Sequence, residues 1–295
     1  MKEKTWTTDQ LVKKVNRMRG IMAFLAPRAL KKQKNHIGKE LFLDTGEGRV
    51  RVLAYNLDKP EKLPLYINIH GSGFTMGNAE MDDPFMMDIA EGANVKIISI
   101  DYSLAPEAPF PKALNECYAV VEYAAGHGDE LGVDADRIAV GGHSAGGNFT
   151  AAICLMDNDR KQLDIKCLIM DYPPLDVYTD AGEKPQPFGS LPVSMCRMFD
   201  ACYLNDKEGR KNPLISPVFA TVDQLRDFPP TLVITASGDS LCGEGERFKD
   251  KLIEAGVDVS FERFKGPHGF NLRKSEESDR SWRMIIDHLK RYLWE

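Results

Sequence analysis

A serine set among glycines is the residue of this chain best placed to do covalent chemistry. Residues 138–148 read IAVGGHSAGGN, so Ser144 stands two positions after Gly142 and two before Gly146. A strand-like apolar run precedes the serine and an apolar helical pattern follows it, which is the arrangement of a nucleophile elbow. The glycines let strand and helix pass close together there, and the serine oxygen is exposed above the sheet. The spacing predicts a nucleophile at Ser144; a glycine-rich turn with an incidental serine is the alternative.

A serine nucleophile needs a base, and the base needs an acid to orient it. His268 follows the last predicted strand in the loop KGPHGF, and Asp239 follows the preceding strand in TASGD. Parallel strands end at one edge of a sheet, so both side chains are expected beside Ser144. Glu244 and Glu246 compete for the acid role, but they fall inside the next predicted helix. The predicted triad is therefore Ser144, Asp239 and His268, in that order along the chain. Two further histidines, His127 and His288, are expected on the surface.

A second glycine-rich segment provides candidate donors for a negatively charged substrate oxygen. The sequence HGSG directly follows the strand-like run LPLYINI, and backbone N–H groups at such a strand exit can face the nucleophile. The predicted oxyanion hole consists of Gly71, Ser72 and Gly73 together with Ala145, with Gly71, Ser72 and Ala145 as the favoured donors. A plain glycine-rich strand exit is the alternative.

Composition bears on several classes of protein. The 295 residues carry a net charge of −6 at pH 7, which argues against non-specific nucleic-acid binding. The six cysteines form no C-x-x-C pair, so no metal site is predicted and reduced thiols in the cytoplasm are expected. No organic cofactor is expected. The first residues lack the apolar core of a signal peptide, and the apolar run at 21–26 is too short to span a bilayer, so no stable membrane insertion is expected.

Apolar runs that alternate with helical patterns would position these groups. ELFLD and RVRVLAYN flank a short turn and predict an antiparallel hairpin. Further strands are predicted at 63–70, 95–102, 137–142, 165–172, 231–237 and 258–264. Helices are predicted at 79–91, 112–125, 145–156, 243–255 and 278–293. Buried strands that alternate with helices predict the α/β class with a mostly parallel sheet.

Two segments fall outside this alternation and form a candidate helical cap. Thr7 and Gln10 make a capping box that begins an amphipathic helix, and Pro27 is predicted to end it. Its apolar face is expected to cover an opening on the domain, with a position on a membrane surface as the alternative. The proline-rich second segment is too long for a plain connector. The predicted division is a cap from residues 1–40 and 178–215 and a catalytic domain from 41–177 and 216–295.

Six ordered segments together resemble the hormone-sensitive-lipase family of α/β-hydrolases, also called bacterial type IV esterases. They are HGSGF at 70–74, DYSLAPEAPFP at 101–111, GHSAGGN at 142–148, NPLISP at 212–217, GDSL at 238–241 and HGF at 268–270. The resemblance implies an α/β-hydrolase fold, a mostly parallel eight-stranded sheet flanked by helices and covered by a helical cap. It also implies hydrolysis of short-chain esters, from acetyl to about octanoyl, through a Ser-His-Asp acyl-enzyme without a cofactor. The expected partner is a small-molecule ester, and a homodimer is left open.

Three features depart from the family pattern. Ser72 replaces a glycine in the oxyanion segment, Ser103 replaces an arginine, and the acid motif continues as Cys242-Gly243-Glu244 instead of ending in D-E. These departures bear on substrate preference and rate, and the reaction class is the same with or without them.

Two alternatives to an esterase are carried forward. A serine peptidase of the prolyl-oligopeptidase type shares the elbow and the order of the triad, but it normally carries a large additional domain that 295 residues cannot hold. A ligand receptor on the same scaffold, as in plant gibberellin receptors, lacks the catalytic histidine that His268 provides here.

Overall fold

One eight-stranded sheet organises the computed structural model, which describes residues 6–25, 37–158 and 160–295. The strands are β1 Lys39–Thr45, β2 Gly48–Tyr55, β3 Leu63–Ile69, β4 Lys96–Asp101, β5 Val133–His143, β6 Ile165–Asp171, β7 Thr231–Gly238 and β8 Val259–Pro267. Their order across the sheet is β1-β2-β4-β3-β5-β6-β7-β8. The β1–β2 and β2–β4 pairs are antiparallel and the remaining pairs are parallel. The predicted α/β-hydrolase fold is confirmed.

Helices cover both faces of the sheet. They are α1 Thr8–Leu25, α2 Asp83–Gly92, α3 Lys112–Gly126, α4 Gly128–Leu131, α5 Ala145–Asp157, α6 Val193–Tyr203, α7 Val222–Leu225, α8 Cys242–Glu254 and α9 Glu276–Trp294. Apolar residues of α3, α5 and α8 form one core, and those of α2 and α9 form a second core on the other face. Strands between two helical layers have no solvent face, which explains their nearly continuous apolar sequences.

The predicted hairpin is confirmed, since Thr45 pairs with Gly48 at the turn between β1 and β2. Two elements begin four residues away from the predicted start. The helix predicted to begin at residue 79 starts with a 3-10 turn, Ala79–Met81, before α2. Strand β5 begins at Val133, ahead of the apolar run, because an irregularity in its register with β3 lets a short polar stretch pair as well.

The predicted surface position of His288 is wrong. It lies on α9, where its residue is 5% exposed, and burial lowers its pKa to about 4. The amphipathic pattern around it places this histidine on the apolar face of the helix.

Helix α1 packs on helix α6. The capping box is present, with the N–H of Thr7 donating to Gln10 Oε1 over 3.1 Å and the N–H of Gln10 donating to Thr7 Oγ1 over 3.3 Å. Leu11 and Val15 are buried in one apolar cluster with Met198 and other residues of α6. This part of α1 therefore covers protein, which is the first of the two predicted roles. Pro27, predicted to end the helix, lies outside the described residues. Within the described part of the chain, no helix has the length and apolar character needed to cross a membrane.

Candidate active site

Ser144 occupies the turn between β5 and α5. Its backbone has φ 52° and ψ −122°, a sparsely populated conformation for a residue with a side chain. The N–H of Ser144 donates to the carbonyl oxygen of Asp171 at the end of β6, over 2.8 Å. This bond holds the turn to the neighbouring strand, so the strained serine is fixed at the edge of the sheet where the parallel strands end.

The glycines around Ser144 are required by close approach of the backbone. A Cβ at Gly142 would lie 2.3 Å from the carbonyl oxygen of Ile69, and one at Gly146 would lie 1.8 Å from the same atom. Neither distance is compatible with a side chain, because the colliding atom belongs to the backbone of β3. The predicted close passage of strand and helix is present.

The structure brings the three predicted triad residues into hydrogen-bonding contact. Ser144 Oγ lies 3.0 Å from Nε2 of His268, and Nδ1 of His268 lies 2.6 Å from Oδ2 of Asp239. The side chain of Asp239 is 1% exposed, and its other oxygen accepts the N–H of Leu241 over 3.1 Å. The buried carboxylate accepts the proton of Nδ1, which leaves the lone pair of Nε2 directed at the serine hydroxyl.

The two competing carboxylates make other contacts. Glu244 is buried, accepts the N–H of Leu175 over 2.8 Å and pairs with Lys184 over 2.6 Å. Burial raises the pKa of Glu244, and the charge of Lys184 opposes that rise without cancelling it. Glu246 pairs with Arg263. The structure places Asp239, and neither glutamate, against His268.

The oxyanion loop, residues 70–73, differs from the sequence prediction at one donor. The N–H of Gly71 points at Nε2 of His143, 3.2 Å away, and so is not directed at Ser144. The N–H groups of Ser72, Gly73 and Ala145 have no acceptor among the described residues. The free donors are therefore the N–H groups of Ser72, Gly73 and Ala145. Gly71 instead contacts His143 and so helps to hold the loop in position. The prediction erred because N–H direction depends on a contact between residues far apart in sequence.

Ser72 departs from the family pattern at a strained position. Its φ is 95°, in a region that glycine adopts easily and residues with side chains rarely do. Its side chain makes a weak contact, 3.5 Å from Oγ to the sulfur of Met81. Gly73 follows with φ 62°, and a Cβ there would lie 2.4 Å from the ring of Phe199 on α6. The loop is thus packed directly against helix α6.

A cavity of about 220 Å³ opens onto Ser144 and His268. Its walls are mostly apolar and combine residues of the oxyanion loop with residues from the predicted cap. The residues from the cap segment are Ala181, Lys184, Leu191, Met195, Cys196, Phe199 and Asp200. The hydroxyl of Ser144 therefore faces a small, mostly apolar space that has three charged side chains on its wall, Asp176, Lys184 and Asp200.

A buried polar network lies beneath the cavity, and the sequence carries no signal for most of it. Asp82, His143 and Asp171 are each less than 8% exposed. Burial raises the pKa of Asp171 to about 7, although an amide proton from Asn271 and the nearby histidines favour its ionised form. The adjacent acids at residues 82 and 83 are both buried, and nothing local in the sequence indicates which of them meets His143.

No group of histidine, cysteine, aspartate and glutamate side chains in the described ranges has the geometry to hold a metal ion. The groups that meet at the cavity are the serine hydroxyl, its imidazole and carboxylate partners, and backbone N–H groups.

Comparison with known proteins places this geometry among esterases. Residues 66–272 match the family defined by the alpha/beta hydrolase fold. An arylesterase of Saccharolobus solfataricus is 31% identical over 204 residues, which cover 68% of this chain and 66% of the relative. The carboxylic ester hydrolase LipN of Mycobacterium tuberculosis is 34% identical over 220 residues, which cover 70% of this chain and 57% of the relative. The matches thus span at most about two thirds of these relatives.

A solved structure covers the chain more fully. EstE1, a thermophilic carboxylesterase cloned from a metagenomic library, superposes with a TM-score of 0.81 at 27% identity, covering 98% of this chain and 99% of its own. Sequence, fold and the ordered motifs agree, and the chain belongs to the alpha/beta hydrolase family, in the branch similar to hormone-sensitive lipases and type IV esterases.

Proposed function

We propose that this protein is a carboxylic ester hydrolase that cleaves short-chain acyl esters, from acetyl to about octanoyl, through an acyl-enzyme on Ser144. The observation that carries the proposal is the hydrogen-bonded chain from Ser144 through His268 to Asp239, with distances of 3.0 Å and 2.6 Å. The named relatives and the solved neighbour are esterases, which supports the same reaction class.

Acylation begins with the serine hydroxyl. Nε2 of His268 takes the proton of Ser144 as Oγ attacks the ester carbonyl carbon, and the carbonyl oxygen becomes an oxyanion. Asp239 holds the imidazole in the required tautomer and stabilises the imidazolium that forms. The same proton passes from Nε2 to the departing alkoxide, which leaves as an alcohol and leaves the acyl group on Ser144.

Deacylation repeats these steps with water. Nε2 accepts a proton from a water molecule as its oxygen attacks the acyl carbon, and then returns that proton to Oγ of Ser144. The products are a carboxylic acid and the regenerated serine.

The developing oxyanion is stabilised by the N–H groups of Ser72, Gly73 and Ala145. Ala145 is the first residue of α5, so the positive end of the helix dipole adds to its N–H group. Such donors act before any reorganisation is needed, and removal of one typically lowers kcat by about 10²–10³-fold.

The size of the cavity supports small substrates. At about 220 Å³ it is smaller than the roughly 300–1,000 Å³ of pockets that hold drug-sized ligands. Its mostly apolar wall favours a short alkyl chain over a charged group. The cytoplasm is the proposed compartment, supported by six free cysteines of which four are buried.

The test is hydrolysis of p-nitrophenyl esters from acetate to dodecanoate by the parent protein and by Ser144→Ala. We expect highest kcat/KM between acetate and octanoate and a loss of at least about 10⁴-fold in the variant, since the nucleophile is gone. Ser194→Ala, an exposed serine on α6, is the matched control and should keep parental rates.

Four outcomes would contradict the proposal. Turnover that survives in Ser144→Ala would show that Ser144 is not the nucleophile. A profile that rises beyond decanoate would indicate a lipase. Faster cleavage of aminoacyl p-nitroanilides than of the matched esters would favour the peptidase alternative, and tight ligand binding without any turnover would favour a receptor.

A further inference from the structure

His143 connects the nucleophile elbow to the oxyanion loop. It precedes Ser144 directly, and its side chain is 8% exposed and directed beneath the loop. Nε2 lies 3.2 Å from the backbone nitrogen of Gly71. A Cβ at Gly71 would lie 2.7 Å from both Cε1 and Nδ1 of the ring, so ring and loop backbone are in direct contact.

Asp82, at the start of α2, holds the other side of this ring. Its Oδ1 lies 2.9 Å from Nε2 of His143, and its Oδ2 accepts the side-chain amide of Asn68 over 2.8 Å. The carboxylate is 2% exposed. A buried charge is tolerated only when it is paired and hydrogen-bonded. Asp82 therefore needs its contact with His143, and the same contact restrains the imidazole ring.

The pKa directions of His143 and Asp82 both favour the charged forms of the pair. Burial by itself would lower the pKa of His143, but the charge of Asp82 and its hydrogen bond more than reverse that effect. Burial would likewise raise the pKa of Asp82, and His143 together with Asn68 more than reverses that. Asp82 and His143 therefore attract each other across the 2.9 Å contact, and the N–H of Gly71 lies 3.2 Å from the same ring nitrogen. The other titratable groups that act on this imidazole are Asp171 and His70.

The oxyanion loop is also held from its opposite side. The hydroxyl of Tyr102 donates to the carbonyl oxygens of His70 over 3.0 Å and of Gly71 over 3.3 Å, and its ring stacks on His70 at 4.2 Å. Between these restraints the loop turns through Ser72 at φ 95°. A strained conformation persists only where its surroundings over-determine it.

We propose that His143 and Asp82 are positioning residues that hold the oxyanion loop against Ser144, so that the N–H groups of Ser72 and Gly73 reach the tetrahedral oxygen. The inference rests on the proposed function, because it requires an oxyanion at Ser144. It assigns the histidine of the elbow a role in the reaction although that histidine transfers no proton in the proposed mechanism.

The test uses Asp82→Asn, His143→Gln and the double variant. An asparagine keeps the shape of Asp82, but it cannot accept hydrogen bonds from His143 and Asn68 with both of its terminal groups. Asp83→Asn is the matched control. Asp83 is an equally buried neighbour that accepts the hydroxyl of Tyr55 over 2.8 Å and the N–H of Gly38 over 2.9 Å, away from the active site.

We expect each single variant to lower kcat for p-nitrophenyl butyrate by about 10–100-fold, with KM changed by less than about threefold, because a displaced loop loses part of its oxyanion stabilisation. The inhibition constant of an alkyl trifluoromethyl ketone, whose adduct with the serine places an oxyanion in the same site, should rise by the factor lost in kcat/KM. The double variant should lose no more than the more affected single variant, since the two residues act as one unit. Asp83→Asn should lower Tm and keep kcat.

The inference is overturned by a folded Asp82→Asn or His143→Gln protein with kcat within about threefold of the parent. It is equally overturned by a loss of kcat without a matching change in affinity for the ketone, which is the result of a purely structural role. His143→Gln carries the test if Asp82→Asn does not fold. Failure of the proposed function is distinguishable, because the parent protein itself would then hydrolyse no ester.

Discussion

The elbow region and the cap wall meet at one cavity and are built on opposite principles. In the elbow region, residues 142–146 with the oxyanion loop, the backbone fills the space, and Gly142 and Gly146 leave no room for a methyl group. The cap wall comprises residues 191–200, which lie in α6 and just before it. It presents side chains to the cavity, among them Met195 and Cys196. Methionine is unbranched and adapts to irregular gaps, so this wall can change shape without moving the backbone.

The difference separates reaction from selectivity. The groups that make and break bonds in the proposed reaction are positioned by strands and by backbone contacts, which tolerate little displacement. The groups proposed to contact the rest of the substrate are side chains on a helix outside the sheet. Substitutions in the first region should act on folding or kcat, and those in the second should act on the choice of substrate.

Gly146→Ala should have the largest effect. The added Cβ would lie 1.8 Å from the carbonyl oxygen of Ile69, and helix α5 cannot withdraw without moving Ser144. We expect a loss of more than about 4 kcal/mol in the free energy of unfolding, or no soluble protein. Thermal unfolding and soluble yield measure the effect.

The same substitution in helix α1, outside both regions, is the control. Gly20 lies within α1, and a Cβ there would meet no atom within 4 Å. Gly20→Ala should stabilise the helix by up to about 1 kcal/mol and leave ester hydrolysis unchanged. Equal tolerance of alanine at Gly146 and Gly20 would contradict the close backbone packing assigned to the elbow region.

A smaller effect is expected from the buried acid below the elbow. The pKa of Asp171 is raised to about 7 by burial, whereas an unfolded chain loses this proton near pH 4. Between these values the folded state binds more protons than the unfolded state, so the contribution of Asp171 to stability falls as pH rises and levels off above pH 7.

Asp171→Asn does not titrate and tests this directly. The difference between the Tm of Asp171→Asn and the Tm of the parent at the same pH should rise by a few degrees from pH 5 to pH 8, in favour of the variant. A difference that stays constant or shrinks over that range would contradict a neutral Asp171 in the folded protein.

The smallest effect is expected on the cap wall. Met195→Ala enlarges the cavity, so the preferred acyl chain should lengthen by about two carbons, and the ratio of octanoate to acetate hydrolysis should rise by up to about tenfold. Met198, on the same helix, is buried in the cluster with α1 and does not line the cavity. Met198→Ala should therefore lower Tm without a change in the chain-length profile. A shift of that profile in Met198→Ala, or none in Met195→Ala, would contradict this assignment of the wall.

Patterns local in sequence were sufficient for much of the fold. The hairpin, the buried strands and the elbow depend on side-chain periodicity and on glycines at short spacing, which a single stretch of chain displays. The ends of α2 and β5 were less well predicted because a 3-10 turn and an irregular strand register leave no apolar pattern. His288 was misplaced because its polar character was given more weight than its position among the apolar residues of α9.

The sequence by itself determined which side chains are candidates for the reaction and the order in which they follow the strands, because each stands at a recognisable strand exit. Only the tertiary structure decided which backbone donors stay free and which buried acid meets His143. Those outcomes depend on contacts between residues 61 and 72 positions apart, such as Asp82 with His143 and Gly71 with His143. The direction of an N–H group or a carboxylate at such a contact is set by the packing of strands and loops against one another, and no local pattern encodes it.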